Sequence, residues 1–509
     1  MKKKLLTGLI LLLPIIIFIY GQIFVNAVAG KDKVVTADPG DNASDLQRLL
    51  DYNKYGTFQL TVKIPAGTYV LDKELRIYSN TTIQADPDAK MLKNHLKGAL
   101  LANDLSKDRG GYTTTENITV NGGIWDSSNV VNRDKGTEGF RFIHAANVTI
   151  KDATICNVPD GSHLITFGGV KNGVVDNCTL YGYAGTALKE AIQIDIVHDN
   201  TILPSMQSKI LVYDDLPCDG ITVTNCNIYN YPRAIGSHTS VKGVFHKNIV
   251  ISQNTLHDLS EAAIKAFNYV NLEISGNTIQ NAGIGMLVYT YINNQYYLEA
   301  LKTTKKEPLP DSYNIVIKNN RIRDIKEITS DTGNLWGDGI RTIGNTERPL
   351  YGVTIVNNTI TGTDRYGMFL EGTVKCKISD NTLTQTSKNG IYLINGCDYS
   401  VITDNTVSSA GDNGIALYQQ SNDYTITGNK ITGYKRYGIY VYQAGTGTIN
   451  ENKIYDEESI KSDDGIHITG DRSSGNPFII SISSAIYYSN NLIPAMELSN
   501  IYIICLISP

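Results

Sequence analysis

Short runs of alternating apolar and polar residues, separated by Gly or Asn, follow one another along most of the chain. Such runs are typical of β-strands, and Asn and Gly adopt the left-handed backbone conformation that tight turns need. In the second half the runs recur every 23 or 24 residues. The repeat is marked by an Asn before each run, at Asn358, Asn381, Asn405, Asn429 and Asn452, and by a Gly-apolar pair, at Gly367, Gly390, Gly414, Gly438 and Gly465.

Strands that return at the same phase in every repeat pair with their copies one coil away. The fold class that we predict is therefore all-β: a single-stranded right-handed parallel β-helix, a solenoid of about a dozen coils. A leucine-rich repeat would show a lattice of Leu, and a propeller blade would need a longer repeat. Residues 43–52 form an amphipathic pattern, which predicts an N-terminal helix that caps the first coil and covers its strand edge.

The chain divides into three parts. Residues 1–29 resemble a signal peptide, with Lys2 to Lys4 as the basic region, an apolar stretch and a small-x-small cleavage site at Ala27-Val28-Ala29. An uncleaved membrane anchor is the alternative. Residues 30–470 form the β-helix domain, and residues 471–509 are an apolar tail in which the repeat stops. We expect a protein that is secreted and extracellular or at the cell surface, and associated with a membrane only if residues 1–29 are retained.

Composition narrows the classes of partner. The 509 residues carry a net charge of −5, which argues against nucleic-acid binding because that needs a basic face. The seven cysteines are too sparse for a disulfide framework, and they form no C-x-x-C pair, which argues against a zinc site. We expect a monomer whose partner is a polysaccharide.

The run Ile64-Pro65-Ala66-Gly67-Thr68-Tyr69-Val70, with the coils that follow it, resembles the pectin-lyase-like superfamily of right-handed parallel β-helices. The resemblance covers residues 34–470. It implies the fold and leaves the reaction open, because that superfamily includes lyases, glycoside hydrolases, epimerases and adhesins without catalytic activity.

When the coils are aligned, one column of side chains is predicted to face outward, because alternate residues of a strand point to opposite faces. The column begins with ionisable groups, Asp195, His238 and Lys265, with Gln193 beside them, and we expect all of these to be exposed. Arg341 follows, and then an aromatic series that includes Phe369, Tyr392 and Tyr440. Aromatic rings along a groove suit sugar rings. Long irregular segments at residues 197–217, 289–312 and 324–338 are expected to form the walls of the site.

Hydrolysis of a glycosidic bond needs a protonated carboxyl group and a carboxylate that acts through water. Asp195 is the leading candidate, with Glu190, Asp214, Asp215 and Asp219 as partners. The order of an Asp strand, an Asp-Asp pair, a Gly-Ser-His strand and a basic strand is faintly similar to the polygalacturonase family of glycoside hydrolases. The N-T-D, G-H-G and R-I-K sequences of that family are absent here.

Elimination from a uronic acid is the alternative reaction. It needs a base and a cation that neutralises the sugar carboxylate. Lys265 or His238 would be the base and Arg233 or Arg341 the neutralising cation. No cofactor is indicated, although the carboxylates of Asp214, Asp215 and Asp219 offer oxygen ligands to Ca²⁺.

The sequence therefore predicts a secreted enzyme that cleaves an extracellular, uronate-containing polysaccharide by hydrolysis, with a polysaccharide lyase or a non-catalytic glycan-binding protein as alternatives. The catalytic candidates are Asp195, His238, Lys265, Asp215 and Glu190. The candidate substrate-binding residues are Gln193, Arg233, His246, Arg341, Phe369, Tyr392 and Tyr440.

Overall fold

The computed structural model describes residues 32–130, 137–199, 210, 212–290, 297–329, 333–455 and 464–469, and the backbone of four further strands between residues 479 and 504. The predicted signal peptide lies outside the described residues. A helix, Ala43–Leu50, opens the fold. The side chain of Asn42 accepts hydrogen bonds from the backbone N–H groups of Ser44 and Asp45, and Asp45 completes a capping box. The helix buries Leu46 and Leu50 against the first coil, as the amphipathic pattern predicts.

The predicted parallel β-solenoid is confirmed, and it has about 15 coils. Each complete coil contributes strands to three faces of the rod. The strands of the first face pair in parallel with one another; they are Lys33–Thr36, Leu60–Ile64, Thr81–Ala85, Thr115–Asn121, Ala145–Lys151, Lys171–Asp176, Asp219–Thr224, His246–Ser252, Tyr269–Ser275, Ile315–Lys318, Val353–Val356, Lys377–Ser379, Val401–Thr403, Tyr424–Thr427, Gly447–Asn450 and Ile479–Ser483.

The second face is built in the same way. Its strands are Gly67–Leu71, Ala89–Lys93, Ile124–Asp126, Thr154–Pro159, Thr179–Ala184, Asn227–Tyr231, Thr255–Phe267, Thr278–Tyr289, Arg321–Ile325, Thr359–Thr363, Thr382–Thr386, Thr406–Ala410, Lys430–Thr432, Lys453–Tyr455 and Ala485–Tyr488. The two longest of these, Thr255–Phe267 and Thr278–Tyr289, continue around the corner into the third face.

The third face carries the column of candidate site residues. Its strands are Leu75–Ile77, Leu101–Asn103, Phe140–Ile143, Ile165–Gly168, Glu190–Asp195, Arg233–Gly236, the second halves of the two long strands, Ile340–Ile343, Met368–Glu371, Ile391–Ile394, Ile415–Tyr418, Tyr437–Tyr442 and Asp464–Thr469. Among the described residues, three small strand pairs do not belong to these faces: Ser240–Val241 with Tyr297–Leu298, Ile328–Thr329 with Leu335–Trp336, and Leu350–Tyr351 with Thr373–Val374.

The backbone adds strands after residue 470, where the repeat in the sequence stops. Ile479–Ser483 and Ala485–Tyr488 continue the parallel pairing of the first and second faces. Ile501–Ile504 and Met496–Leu498 then pair with them in the antiparallel direction. Among the residues that the structure describes, no helix is long and apolar enough to cross a bilayer.

The core is one continuous hydrophobic cluster inside the rod, built from the inward-facing residues of the three faces. At the corner between the first and second faces, buried asparagines form a ladder in which each side-chain amide donates to the amide oxygen of the next coil at about 3 Å. The members are Asn254, Asn277, Asn320, Asn358, Asn381, Asn405, Asn429 and Asn452. The asparagines that mark the sequence repeat are therefore core residues that hold successive coils in register.

Candidate functional site

The register of the third face confirms part of the predicted column: Gln193, Lys265, Arg341, Phe369, Tyr392 and Tyr440 share one strand position, but Gly236 and not His238 stands at that position in its coil. Strand partners on successive coils follow the series Arg141, Thr166, Gln193, Gly236, Lys265, Leu287, Arg341, Phe369, Tyr392, Ala416, Tyr440 and His467. Asp195 lies two residues beyond Gln193 and pairs with Gly168, so it occupies a neighbouring column. The column has an ionisable half up to Arg341 and an aromatic half after it.

The prediction that the ionisable half is exposed is wrong. Asp195 and Glu190 have no exposed surface, and only 3% of Lys265 is exposed. A second hydrophobic cluster lies outside the coils at this level and contains Leu105, Ile143, Ile196, Val197, Ile210, Val241 and Val244, with Tyr213, Leu298 and Ala300 packed against it. We call this cluster the outer layer. It includes parts of the irregular segments that were expected to form the walls of the site.

Asp195 is a buried acid without a cationic partner at hydrogen-bond distance among the described residues. Its carboxylate oxygens accept hydrogen bonds from the backbone N–H of Ile196 and from Nε2 of Gln193, both at 2.8 Å. Burial raises the pKa of Asp195 to about 8, although these two hydrogen bonds act to lower it. Its carboxyl group is therefore protonated at neutral pH. Gln193 also accepts from Thr166 at 3.3 Å and belongs to this buried network rather than to an exposed surface.

Glu190 has the opposite character. Nη1 of Arg233 donates to its Oε1 at 2.9 Å, and Nδ1 of His238 lies 2.8 Å from its Oε2. Burial opposes the charge on Glu190, but His238 and Arg233 hold its pKa well below the ordinary value. Arg233 also donates to Oε1 of Glu261 at 2.9 Å, and Nζ of Lys265 lies 3.6 Å from that carboxylate. The candidates Glu190, Arg233, His238 and Lys265 thus belong to one buried charge network.

His163 also belongs to this network. Nothing in the sequence around His163 marked it as a candidate site residue. Its ring lies parallel to that of His238, with the centroids 5.9 Å apart. Its Nδ1 donates to the backbone oxygen of Glu190 at 2.6 Å. Burial lowers the pKa of His163 to about 3 and also lowers that of His238. Both rings are therefore uncharged at neutral pH.

Asp215 lies outside the network and ties the outer layer together. Its carboxylate contacts Nδ1 of His198 at 2.5 Å and accepts from the backbone N–H of Leu301 at 2.7 Å and from Oγ1 of Thr304. Burial opposes its charge, but the bond to His198 lowers the pKa of Asp215. The role of Asp215 as a catalytic partner of Asp195 stays a prediction.

His246 is a core residue, so its predicted place among the substrate-binding residues is wrong. It is 1% exposed, and its Nδ1 accepts a hydrogen bond from the backbone N–H of Cys218 at 3.0 Å. Its ring packs edge-on against Tyr269. Burial lowers the pKa of His246 to about 3. The residue points into the rod, where no glycan can reach it.

The aromatic half of the column forms a continuous ladder of rings, which we call the aromatic ladder: Tyr366, Phe369, Tyr392, Tyr418, Tyr437, Tyr440, Tyr442 and His467. Neighbouring centroids lie 4.4 to 5.5 Å apart along the series, and most pairs are tilted or edge-to-face. Tyr418 fills the position that Ala416 leaves open, since it lies two residues further along the same strand. Tyr366, Tyr392, Tyr418, Tyr442 and His467 are partly exposed, whereas Phe369, Tyr437 and Tyr440 are buried, against the prediction that Phe369 and Tyr440 face outward. The partly exposed rings form a surface that runs along the rod.

Three arginines lie over rings of the ladder. The guanidinium carbon of Arg341 is 4.1 Å from the centroid of Phe369, that of Arg365 is 5.3 Å from Tyr366, and that of Arg436 is 5.2 Å from Tyr437. Arg341 is anchored by Asp338, whose Oδ2 accepts from Nη1 at 2.7 Å. Burial raises the pKa of Asp338, although the ion pair with Arg341 acts to lower it.

The sequence reasoning missed Arg365 and Arg436 with their tyrosines, although a signal was present. The dipeptide Arg-Tyr stands directly before the Gly-apolar marker in two repeats, at Arg365-Tyr366 and at Arg436-Tyr437. It also missed Arg141, the buried member of the column that pairs with Glu138. Arg141 lies within the strand Phe140–Ile143, directly after Gly139-Phe140, a pair of the Gly-apolar kind that marks the later repeats.

Two family models match parts of the chain. Residues 195–347 match a model described as a right handed beta helix region. Residues 340–493 match the model of NosD, described as a periplasmic copper-binding protein. Together they span residues 195–493 and include the aromatic ladder. A search of curated protein sequences finds no significant match.

Solved structures match over most of the chain. The surface protein and adhesin PfbA of Streptococcus pneumoniae is 19% identical, with a TM-score of 0.54, and the match covers 86% of this chain and 100% of PfbA. A tailspike protein mutant of the E. coli bacteriophage HK620, in complex with a pentasaccharide, is 12% identical, with a TM-score of 0.55, and the match covers 87% of this chain and 78% of the tailspike. At these identities the matches establish the fold. The chain is a right-handed parallel β-helix protein, as its repeats indicate.

Proposed function

We propose that the protein binds an extracellular polysaccharide along the aromatic ladder. The observation that carries the proposal is the unbroken contact between rings on successive coils, for example 5.1 Å between the centroids of Tyr392 and Tyr418 and 5.3 Å between those of Tyr418 and Tyr440. Aromatic faces stack on the C–H faces of sugars and leave the hydroxyl groups to polar neighbours. Because the rings repeat once per coil, a glycan chain bound to them lies parallel to the axis of the rod.

The arginines favour a glycan that carries carboxylates. A guanidinium group forms paired hydrogen bonds with a carboxylate and stacks on aromatic rings at the same time. Arg436 is exposed beside Tyr437, and Arg341 is held over Phe369 by Asp338. The chain as a whole is acidic, with a net charge of −5, but these arginines place positive charge along the aromatic ladder. The expected ligand is therefore an acidic, uronate-containing polysaccharide.

Two of the solved structures agree with a ligand of the saccharide class outside the cell. One is the surface adhesin PfbA, and another is a tailspike in complex with a pentasaccharide. A position outside the cell or at its surface agrees with such a ligand.

Binding is tested by titrating the purified protein with acidic and neutral oligosaccharides of increasing length in a calorimeter. Tyr392→Ala and Tyr418→Ala each remove one partly exposed ring of the ladder, and we expect each to weaken binding by about 3- to 10-fold, the effect of about 0.5–1.5 kcal/mol per aromatic contact. Tyr399→Ala is the matched control, because Tyr399 is an exposed tyrosine outside the ladder. Equal effects of all three substitutions would contradict the proposal.

Cleavage of the polysaccharide by hydrolysis is a second candidate function, and one observation favours it. Asp195 is held protonated, with a pKa of about 8, while Glu190 on the same strand is held ionised. Two carboxyl groups with pKa values pushed apart are what acid–base catalysis at a glycosidic bond needs. Access to Asp195 requires the outer layer to move, because the carboxyl group is buried.

The two candidates are separated by incubating the protein with the glycans that it binds and following reducing ends together with the ultraviolet absorbance of unsaturated uronic acids. Reducing ends without absorbance indicate hydrolysis, and Asp195→Asn should abolish them while leaving ligand binding unchanged. Both signals together indicate elimination, which would move the catalytic role to Lys265 or His238. Binding without either signal identifies a glycan-binding protein without catalytic activity.

A further inference from the structure

Two histidines and one glutamate from successive coils converge on the third face, next to the outer layer. They are His163, Glu190 and His238, and one ligand atom from each can be chosen so that all three lie within 4.8 Å of one another. Nδ1 of His238 is 2.8 Å from Oε2 of Glu190, and Nδ1 of His163 is 3.9 Å from the same oxygen. Ligands of a tetrahedral zinc ion are separated by roughly 3.4 Å. Small side-chain movements would therefore bring the three groups to the spacing of zinc ligands, with Nδ1 of His163 giving up its hydrogen bond to the backbone oxygen of Glu190.

We propose that His163, Glu190 and His238 form a binding site for a divalent transition-metal ion of the zinc class. Two imidazoles and one carboxylate are a ligand set that zinc accepts in proteins, with a fourth position left for water. The site uses no cysteine, so the absence of C-x-x-C pairs in the sequence does not bear on it. The proposal goes beyond glycan binding and does not depend on it.

The neighbours of the three residues resemble the outer shell of a metal site. Nη1 of Arg233 binds Oε1 of Glu190 at 2.9 Å, which orients the carboxylate and leaves Oε2 on the side of the histidines. The second arm of Arg233 binds Glu261 at 2.9 Å, so the charge of the guanidinium is shared between two carboxylates. Such outer contacts fix the orientation of ligands in known metal sites.

The site is nearly closed, with one side open to solvent. The side chain of Glu190 has no exposed surface, that of His163 is 6% exposed and that of His238 is 12% exposed. A cation would reach the cluster past His238. On binding, it takes the place of the proton between Nδ1 of His238 and Oε2 of Glu190, and the uncharged ring then carries its one proton on Nε2, so that no net proton is released.

The test is calorimetric titration of the full, untagged protein with Zn²⁺ after dialysis against a chelator. We expect one equivalent of Zn²⁺ to bind, and His163→Ala and His238→Ala each to weaken the affinity by at least about 100-fold, as loss of a ligand should exceed the effect of losing an outer-shell contact. The control is His257→Ala, because His257 is an exposed histidine paired with Asp258 away from the cluster. This variant should bind Zn²⁺ as the unaltered protein does.

Co²⁺ gives a second readout that does not depend on activity. Its visible absorption, which reports four-coordinate nitrogen and oxygen ligands, should appear in the unaltered protein and disappear in His238→Gln. Because His238 is the most exposed of the three, this variant should fold, which its circular dichroism spectrum verifies. The proposal is overturned if the folded protein binds no Zn²⁺, or if His163→Ala and His238→Ala bind it as tightly as the unaltered protein.

Discussion

Arg341 and Phe369 are strand partners on neighbouring coils, and the guanidinium carbon of Arg341 lies 4.1 Å from the centre of the Phe369 ring. This contact is where the ionisable half of the third face meets the aromatic half. Asp338 holds the guanidinium from the other side at 2.7 Å. A glycan that enters the aromatic ladder from this end therefore meets a positive group whose orientation is already fixed.

Arg341→Lys should lower the affinity for an acidic oligosaccharide by about 3- to 10-fold, because an ammonium group neither stacks flat on the ring nor offers the paired donors of a guanidinium. The affinity for the same oligosaccharide with its carboxyl groups reduced should change little. Calorimetry on the two ligands measures both effects. Arg321→Lys is the control, since Arg321 is an exposed arginine on the second face. An equal loss for both ligands would mean that Arg341 does not recognise carboxylates.

Asp195 should make the protein less stable as the pH rises from about 4 to about 8. Its folded pKa of about 8 lies above the ordinary value of 3.8, so over this range the folded state holds a proton that the unfolded state has lost. The free energy of unfolding then falls by about 1.4 kcal/mol per pH unit from this group alone. Asp195→Asn removes this term and keeps the shape of the side chain.

The measurement is the free energy of unfolding in urea, for both proteins, at intervals between pH 4 and pH 8. The difference between the two curves isolates Asp195 from the buried histidines, which titrate in both. We expect the curve of Asp195→Asn to rise relative to that of the unaltered protein as the pH increases. Parallel curves would show that the carboxyl group is ionised in the folded protein.

We expect the charged form of His144 to stabilise the outer layer, and we expect this stabilisation to be lost at alkaline pH. Burial opposes its charge, but hydrogen bonds to Asp108 at 2.7 Å and Asp214 at 3.2 Å raise its pKa to about 9. Since the folded pKa is raised, the stabilisation is fully present below about 6.5 and is lost as the pH rises through 9. His144→Asn should therefore be less stable at pH 6, and the difference should shrink towards pH 10. Asn suits this position, where φ is 50°.

Thermal unfolding of the two proteins between pH 6 and pH 10 measures this effect. Proteolysis at the same pH values shows whether the loss begins in the outer layer, because Asp108 and Asp214 lie in the segments that cover the third face. A difference in stability that does not change with pH would indicate that His144 acts by packing and not by charge.

The repeat was enough to predict the coils and most of the column on the third face, because each coil reuses the same turn residues and the same alternation. The capping helix was predicted from the amphipathic pattern of residues 43–52. Burial of the ionisable half could not be predicted in this way. It depends on how irregular segments fold back over the coils, and nothing in a repeat specifies their path. One local signal was present: Ile196 and Val197 extend the apolar run directly after Asp195, and such a run indicates that something packs on the outer side as well.

The asparagine ladder should be a main source of register between coils, and Asn381 is its best test position. Its side-chain amide donates to Asn405 at 2.9 Å and to the backbone oxygen of Ile355 at 2.9 Å, and its Oδ1 accepts from the side chain of Asn358 at 3.0 Å. Asn381→Ala leaves several of these buried groups without partners. Each such group costs about 1–3 kcal/mol, so we expect the free energy of unfolding to fall by about 3 kcal/mol.

Thr382→Ala is the matched control, because Thr382 is the next residue of the same coil and is exposed. It should change the free energy of unfolding by less than about 0.5 kcal/mol. Hydrogen exchange distinguishes a local effect from a global one: the amides of the coils on either side of Asn381 should lose protection first, since each coil contacts only its neighbours. If Asn381→Ala and Thr382→Ala were equally mild, the coils would be held in register by strand pairing and core packing alone.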